Sequence, residues 1–220
     1  MRWAIPFLFV SLVVAQQPAT DVDTMLRNAR AEIQAFEKAG GKKDDPKHPV
    51  EKWVQALWTL HASKATSEAV HLLIHAERFS DARSRVEQLA PDDPAWEGLG
   101  QVLNEAATMQ KDYTYFFQKL DAVIPKVTDR KVRAALELSL GRAWRAREDD
   151  TKARKAFEAA LADSPGSPSA KQAETELYEL LHLGPGQPAP PFSATAVNGA
   201  KISLADYRGK PVVLVFWATH

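Results

Sequence analysis

The 220 residues contain no cysteine. That absence excludes disulfide bonds, thiolate-ligated zinc, iron–sulfur clusters and any thiol nucleophile supplied by these residues. An excess of charge of one sign is also missing, because 28 Lys and Arg face 28 Asp and Glu. Without a bulk positive field, polyanion binding lacks long-range electrostatic support, and no nucleic-acid partner is expected. Long hydrophobic runs are scarce as well. The clearest, Ala4 to Val14, is interrupted by Pro6 and Ser11. As a helix it would reach about 16 Å, roughly half of the ~30 Å hydrocarbon core of a bilayer. What remains is 45% hydrophobic and 25% charged, the composition of an ordinary globular protein with room for one or two domains.

The N-terminal run has the pattern of a secretory signal. Arg2 supplies the positive start, the apolar run follows, and small Ala15 with Val13 two residues before it fits a cleavage site. Residues 1–15 are therefore expected to be a signal peptide. The mature chain is expected to be secreted or periplasmic, with no stable membrane anchor after cleavage.

Residues 16–183 read as one helical domain, because apolar residues recur at helical spacing and sustained alternation is absent. Met25, Leu26, Ala29, Ile33 and Phe36 line a first helix that Gly40 and Gly41 end. Further helices are expected over Pro49–Ala62, Ser67–Phe79, Asp81–Ala90, Pro94–Met109, Asp112–Val123, Asp129–Arg147, Thr151–Ala162 and Pro168–Leu183. Within this region Leu140, Gly141, Trp144, Ala153, Phe157, Ala160 and Pro165 lie at the offsets of small and large packing positions in the tetratricopeptide repeat, which the region resembles. Small Gly141 and Ala153 allow two helices to approach, Trp144 and Phe157 fill the space, and Pro165 stops the second helix. Fainter echoes are Ala82, Val86, Leu89 and Pro94, and then Leu99, Gly100, Leu103, Phe116 or Phe117, Leu120 and Pro125. The resemblance implies a surface for a protein or peptide partner. In that register Leu138, Arg142 and Arg145 would face the groove, where the arginines would receive carboxylates.

His71 and His75 share a helix face at the spacing of the metalloprotease H-E-x-x-H motif. Leu72 stands where the general-base glutamate belongs, and no third ligand lies nearby in sequence. The pair therefore reads as partly exposed packing, and no metal or other cofactor is expected. Of Trp53, Trp58, Trp96, Trp144 and Trp217, four are expected in the core.

Composition changes at Gly184. Residues 184–191 hold Gly184, Pro185, Gly186, Pro188, Pro190 and Pro191, a stiff linker through which a helix cannot continue. After it, Phe192–Val197, the Asn198-Gly199 turn and Lys201–Ser203 predict a hairpin. Ser203 is placed to cap a short turn over Leu204–Tyr207. Pro211–Trp217, apolar on both faces, predicts a central strand covered on both sides.

The segment GQPAPPFSATAVNGAKISLADYRGKPVVLVFWAT resembles the start of the thioredoxin-like redoxin family, which includes alkyl hydroperoxide reductase, thiol-specific antioxidant proteins and secreted thiol-disulfide oxidoreductases. Gly186, Ala189, Pro190, Phe192, Asn198, Gly199, Leu204, Gly209, Lys210, Phe216, Trp217, Ala218 and Thr219 carry the resemblance. It implies that residues 192–220 are the first hairpin and central strand of a truncated thioredoxin-like α/β domain, in a chain that is otherwise mainly α. It also implies that one more residue would precede a catalytic cysteine at a helix N-terminus, a place from which the dipole stabilises thiolate. His220 stands at that last position, so no catalytic residue is expected among the 220 and the chain is predicted inactive. Two functions follow as expectations. One is an exported thiol-disulfide oxidoreductase or thiol peroxidase with a helical partner-binding region, catalytically incomplete as given. The other is a secreted helical adaptor without enzymatic activity.

Overall fold

The computed structural model describes residues 21–184 and 186–215. Residues 1–20, with the segment expected to be a signal peptide, fall outside them, as do Pro185 and residues 216–220. The chain divides into two units, residues 1–132 and 133–220. In the first lie α1 (Val22–Lys38), α2 (Val50–Trp58), α3 (Ser63–His75), α4 (Phe79–Val86), α5 (Trp96–Gln110) and α6 (Thr114–Val123), followed by a 3₁₀ turn at Ile124–Lys126. Helix α7 (Arg130–Ala146) opens just before the division, and α8 (Asp150–Asp163) and α9 (Pro168–His182) follow. Strands β1 (Ser193–Thr195) and β2 (Lys201–Ser203) complete the described chain, with a 3₁₀ turn at Leu204–Tyr207. The described molecule is thus mainly α, with a two-stranded hairpin towards its C-terminal end.

The helices start and stop for local reasons. Asp21 accepts from the Asp23 amide at the head of α1, and Ser167 accepts from the Ala170 amide ahead of Pro168 at the head of α9. At the other ends a left-handed residue turns the chain at Gly40, Glu77, Lys111 and Glu148. The amide after each one reaches back five residues, as Arg78 N to Leu73 O at 2.8 Å and Asp149 N to Trp144 O at 3.0 Å. This is the Schellman cap, which satisfies carbonyls a helix end leaves open. Three of the four use a residue other than glycine. Expected boundaries near left-handed residues are displaced: the predicted helix over 49–62 ends at Trp58, ahead of His61, and the one predicted over 67–79 runs from Ser63 to His75, ahead of Glu77. Left-handed His61 and Glu77 make these turns without any glycine or proline to announce them.

The first unit closes around Leu57, Leu73, Ile74, Trp96, Leu99, Phe116 and Leu120, all essentially without solvent exposure. Burial of each such side chain contributes roughly 1.5–3 kcal/mol. In the second unit Ala134, Leu138, Ala153, Phe157, Ala160 and Ala173 form one core from α7, α8 and α9, bordered by half-buried Trp144, Leu161, Leu177 and Leu180. A Cβ at Gly141 would overlap the Phe157 ring, so glycine is what lets α7 lie directly on that ring. Leu140 and Trp144 are only half-buried and Pro165 is exposed in the turn after α8. The tryptophan expectation is corrected in the same way. Only Trp96 is fully buried among those described, while Trp53, Trp58 and Trp144 are half-buried under Lys52, Arg85 and Lys152. A cation over an indole face is a favourable way to leave the ring at the surface.

Candidate functional site

The redoxin-like segment forms an antiparallel hairpin with Ser193 opposite Ser203 and Thr195 opposite Lys201. Its loop is longer than a two-residue turn. Gly199 N donates to Ala196 O at 2.8 Å and Ala196 N to Ala200 O at 2.8 Å, with Gly199 alone at positive φ, +83°. That is a three-residue loop ended by a left-handed glycine, and Asn198 supports it by accepting from the Ala200 amide. Ser203 accepts from Ala205 N while Asp206 accepts from Ser203 N, a capping box that starts the 3₁₀ turn. Pro188, Pro191, Leu204, Tyr207, Arg208 and Val212 border an open cleft in which Gly209 and Lys210 also lie. Pro190 is exposed and Phe192 half-buried, its carbonyl accepting from Leu204 N.

The predicted central strand is corrected over the residues that can be described. Pro211–Val215 is neither helix nor strand, and Val213 and Val215 are 85% and 75% exposed. A strand apolar on both faces needs neighbours for its backbone and cover for its faces, and the described residues pair nothing with it. Phe216, Trp217, Ala218 and Thr219 lie outside the described residues.

The groove residues proposed from the repeat register are also corrected. Leu138 is buried in the core against Phe157, not presented to a groove. Arg142 and Arg145 do receive carboxylates, but from α9 of the same chain. Arg142 Nε donates to Glu176 at 2.9 Å and its other arm to Gln172, while Arg145 donates to Glu176 at 2.6 Å and to Glu179 at 3.1 Å. Burial works against the Arg145 charge, yet the hydrogen bonds it donates to Glu176 and Glu179 outweigh it and hold the guanidinium above its ordinary range. These arginines dock α9.

A different constellation forms on α3. His71 and His75 face each other with their Nε2 atoms 2.9 Å apart, and Glu105 arrives from α5, which packs directly on α3. Glu105 lies 3.1 Å from His71 Nε2 and 3.6 Å from His75 Nε2. Behind His71, its Nδ1 faces Glu68 Oε2 at 3.6 Å, and that oxygen is buried without a hydrogen bond. Two imidazole nitrogens and a carboxylate thus converge within 4.8 Å of one another, a set that can hold a metal ion. Sequence spacing showed the histidine pair but not Glu105, 34 residues further along. Only its position on α5, an amphipathic helix with Leu99, Val102, Leu103 and Ala106 inward, offered a signal. Among the described residues no helix is long and apolar enough to cross a membrane.

Residues 185–220 match the model of the AhpC/TSA family. No curated protein and no solved structure matches the chain. The hairpin, the Gly199 loop and the capped turn fall inside the matched residues, so the C-terminal portion of this chain is redoxin-like, of the thioredoxin type.

Proposed function

We propose that the chain is part of an exported redoxin-family protein, of the thiol-disulfide oxidoreductase or thiol peroxidase class, whose helical region binds a protein or peptide partner. The observation that carries the reading is the family match over residues 185–220. Thiol chemistry needs a thiolate, and these 220 residues contain none. The pure chain should therefore neither reduce insulin disulfides nor consume peroxide with a thiol donor; turnover above a buffer blank refutes this. The discriminating experiment is to read the codons after that for His220 and express the longer frame. A cysteine within the next few codons, with thiol turnover by the extended protein, supports the redoxin reading. A stop codon there overturns it.

The second reading, a secreted tetratricopeptide-like adaptor without enzymatic activity, is favoured by one observation. The left-handed turns at Gly40, Glu77, Lys111 and Glu148 recur at intervals of 37, 34 and 37 residues, close to the 34-residue length of that repeat. The turns at Glu77, Lys111 and Glu148 each separate a pair of helices: α3 from α4, α5 from α6 and α7 from α8. Such pairs suit partner binding in either reading, through a surface other than Leu138, Arg142 and Arg145. Export rests on the signal pattern and predicts a mature N-terminus at Gln16 or Gln17. Mass analysis of exported material that retains Met1 would contradict it.

A further inference from the structure

We propose that His71, His75 and Glu105 bind a divalent transition-metal ion, Zn²⁺ by its chemistry, which clips α3 to α5. The convergence of three donor side chains is the first support. Glu68 Oε2 lies 3.6 Å behind Nδ1 of His71, while Nε2 of the same ring faces Glu105. His71 Nε2 lies 3.1 Å from Glu105 Oε2 and 2.9 Å from His75 Nε2. Two imidazole nitrogens and a carboxylate thus crowd one point between α3 and α5. A cation at the centre satisfies all of them together.

The spacing is the second support. Donors held tetrahedrally about 2.0–2.2 Å from a zinc ion lie roughly 3.3 Å from one another. Here the two Nε2 atoms are 2.9 Å apart, His71 Nε2 is 3.1 Å from Glu105 Oε2 and His75 Nε2 is 3.6 Å from the other oxygen, Oε1, and with one donor atom from each residue all three lie within 4.8 Å of one another. Two imidazoles and one carboxylate suit zinc, and a carboxylate behind a ligating histidine is the usual outer support of such a site. Three protein ligands leave a fourth position for water or an anion. His71 and His75 also line an open cleft of about 580 Å³ shared by Arg30, Lys43, Glu37 and Glu68, so an exchangeable ligand has a path to the fourth position.

The test is calorimetric titration of the full chain with Zn²⁺, with Co²⁺ as the spectroscopic probe. Expected are one ion per chain, a dissociation constant in the micromolar range or tighter, visible absorption bands of four-coordinate Co²⁺, and a rise in Tm that a chelator reverses. His71→Ala and His75→Ala should abolish binding, and the nearly isosteric Glu105→Gln, whose fold is checked by circular dichroism, should abolish it as well. Glu68→Gln should weaken it about tenfold, and His61→Ala and His182→Ala should leave it unchanged. A flat titration of the wild type overturns the proposal. Binding that survives Glu105→Gln, or that is lost with His61 or His182, overturns it too.

Discussion

At the residue scale the contact between Gly141 and Phe157 gives the sharpest expectation. Phe157 is fully buried, so Phe157→Ala should cost about 3–5 kcal/mol of stability, the range for deleting a large core aromatic ring. Trp144 is half-buried with Lys152 4.0 Å above its ring, so Trp144→Ala should cost clearly less. Gly141→Ala forces a methyl group into the ring and should cost about 1–3 kcal/mol. In a Phe157→Ala background the same change should be nearly neutral or stabilising, because the clash is gone and alanine is the better helix former. A double-mutant cycle from urea unfolding measures this, and simple additivity would show that the two residues do not meet.

At the scale of elements, carboxylates at helix ends and between helices set the response to acid. The Lys119 ammonium, and then the Tyr115 hydroxyl, hold the Glu87 carboxyl below its ordinary value of 4.5. Lys52, and then the Trp53 indole, do the same for Glu32, while Thr24 lowers Asp21 and Lys152 lowers Asp149 at the heads of α1 and α8. A carboxyl with a lowered pKa in the folded chain stays ionised while the unfolded chain takes up a proton. Its contribution is complete above the ordinary carboxylate range and is lost as pH falls toward the folded value. The Tm should therefore decline below about pH 5, and Glu87→Gln should flatten that decline while lowering Tm at neutral pH. An unchanged acid profile in the variant would show that the Lys119–Glu87 pair is not coupled to folding. Helix existence and type were legible from periodicity in nearly every case. The ends at Trp58 and His75 were not, because His61 and Glu77 take left-handed conformations that their side chains do not advertise.

For the whole molecule, the exposed apolar stretch after β2 decides behaviour in solution. Val212, Val213, Leu214 and Val215 are 41%, 85%, 55% and 75% exposed, in a segment whose composition suits a buried strand. Burying such a strand gains about 25 cal/mol per Å² of apolar surface, so any cover offers a strong drive to associate. Light scattering should show self-association of the 220-residue chain and none for a chain ending at Leu183, with equal thermal stability of the helices. If removal of the tail unfolds them, the segment is a docking element. The sequence by itself determined the helical character of residues 22–182, the break at Gly184 and the redoxin-like pattern beyond it, because helical spacing, proline and turn glycine act over a few neighbours. Only the tertiary structure decided that Arg142 and Arg145 bind α9 instead of a partner, that Leu138 lies under Phe157, and that Glu105 joins His71 and His75. Each of those outcomes joins residues 19 to 34 positions apart, and the packing of one helix on another, not the period of either, sets which side chains meet.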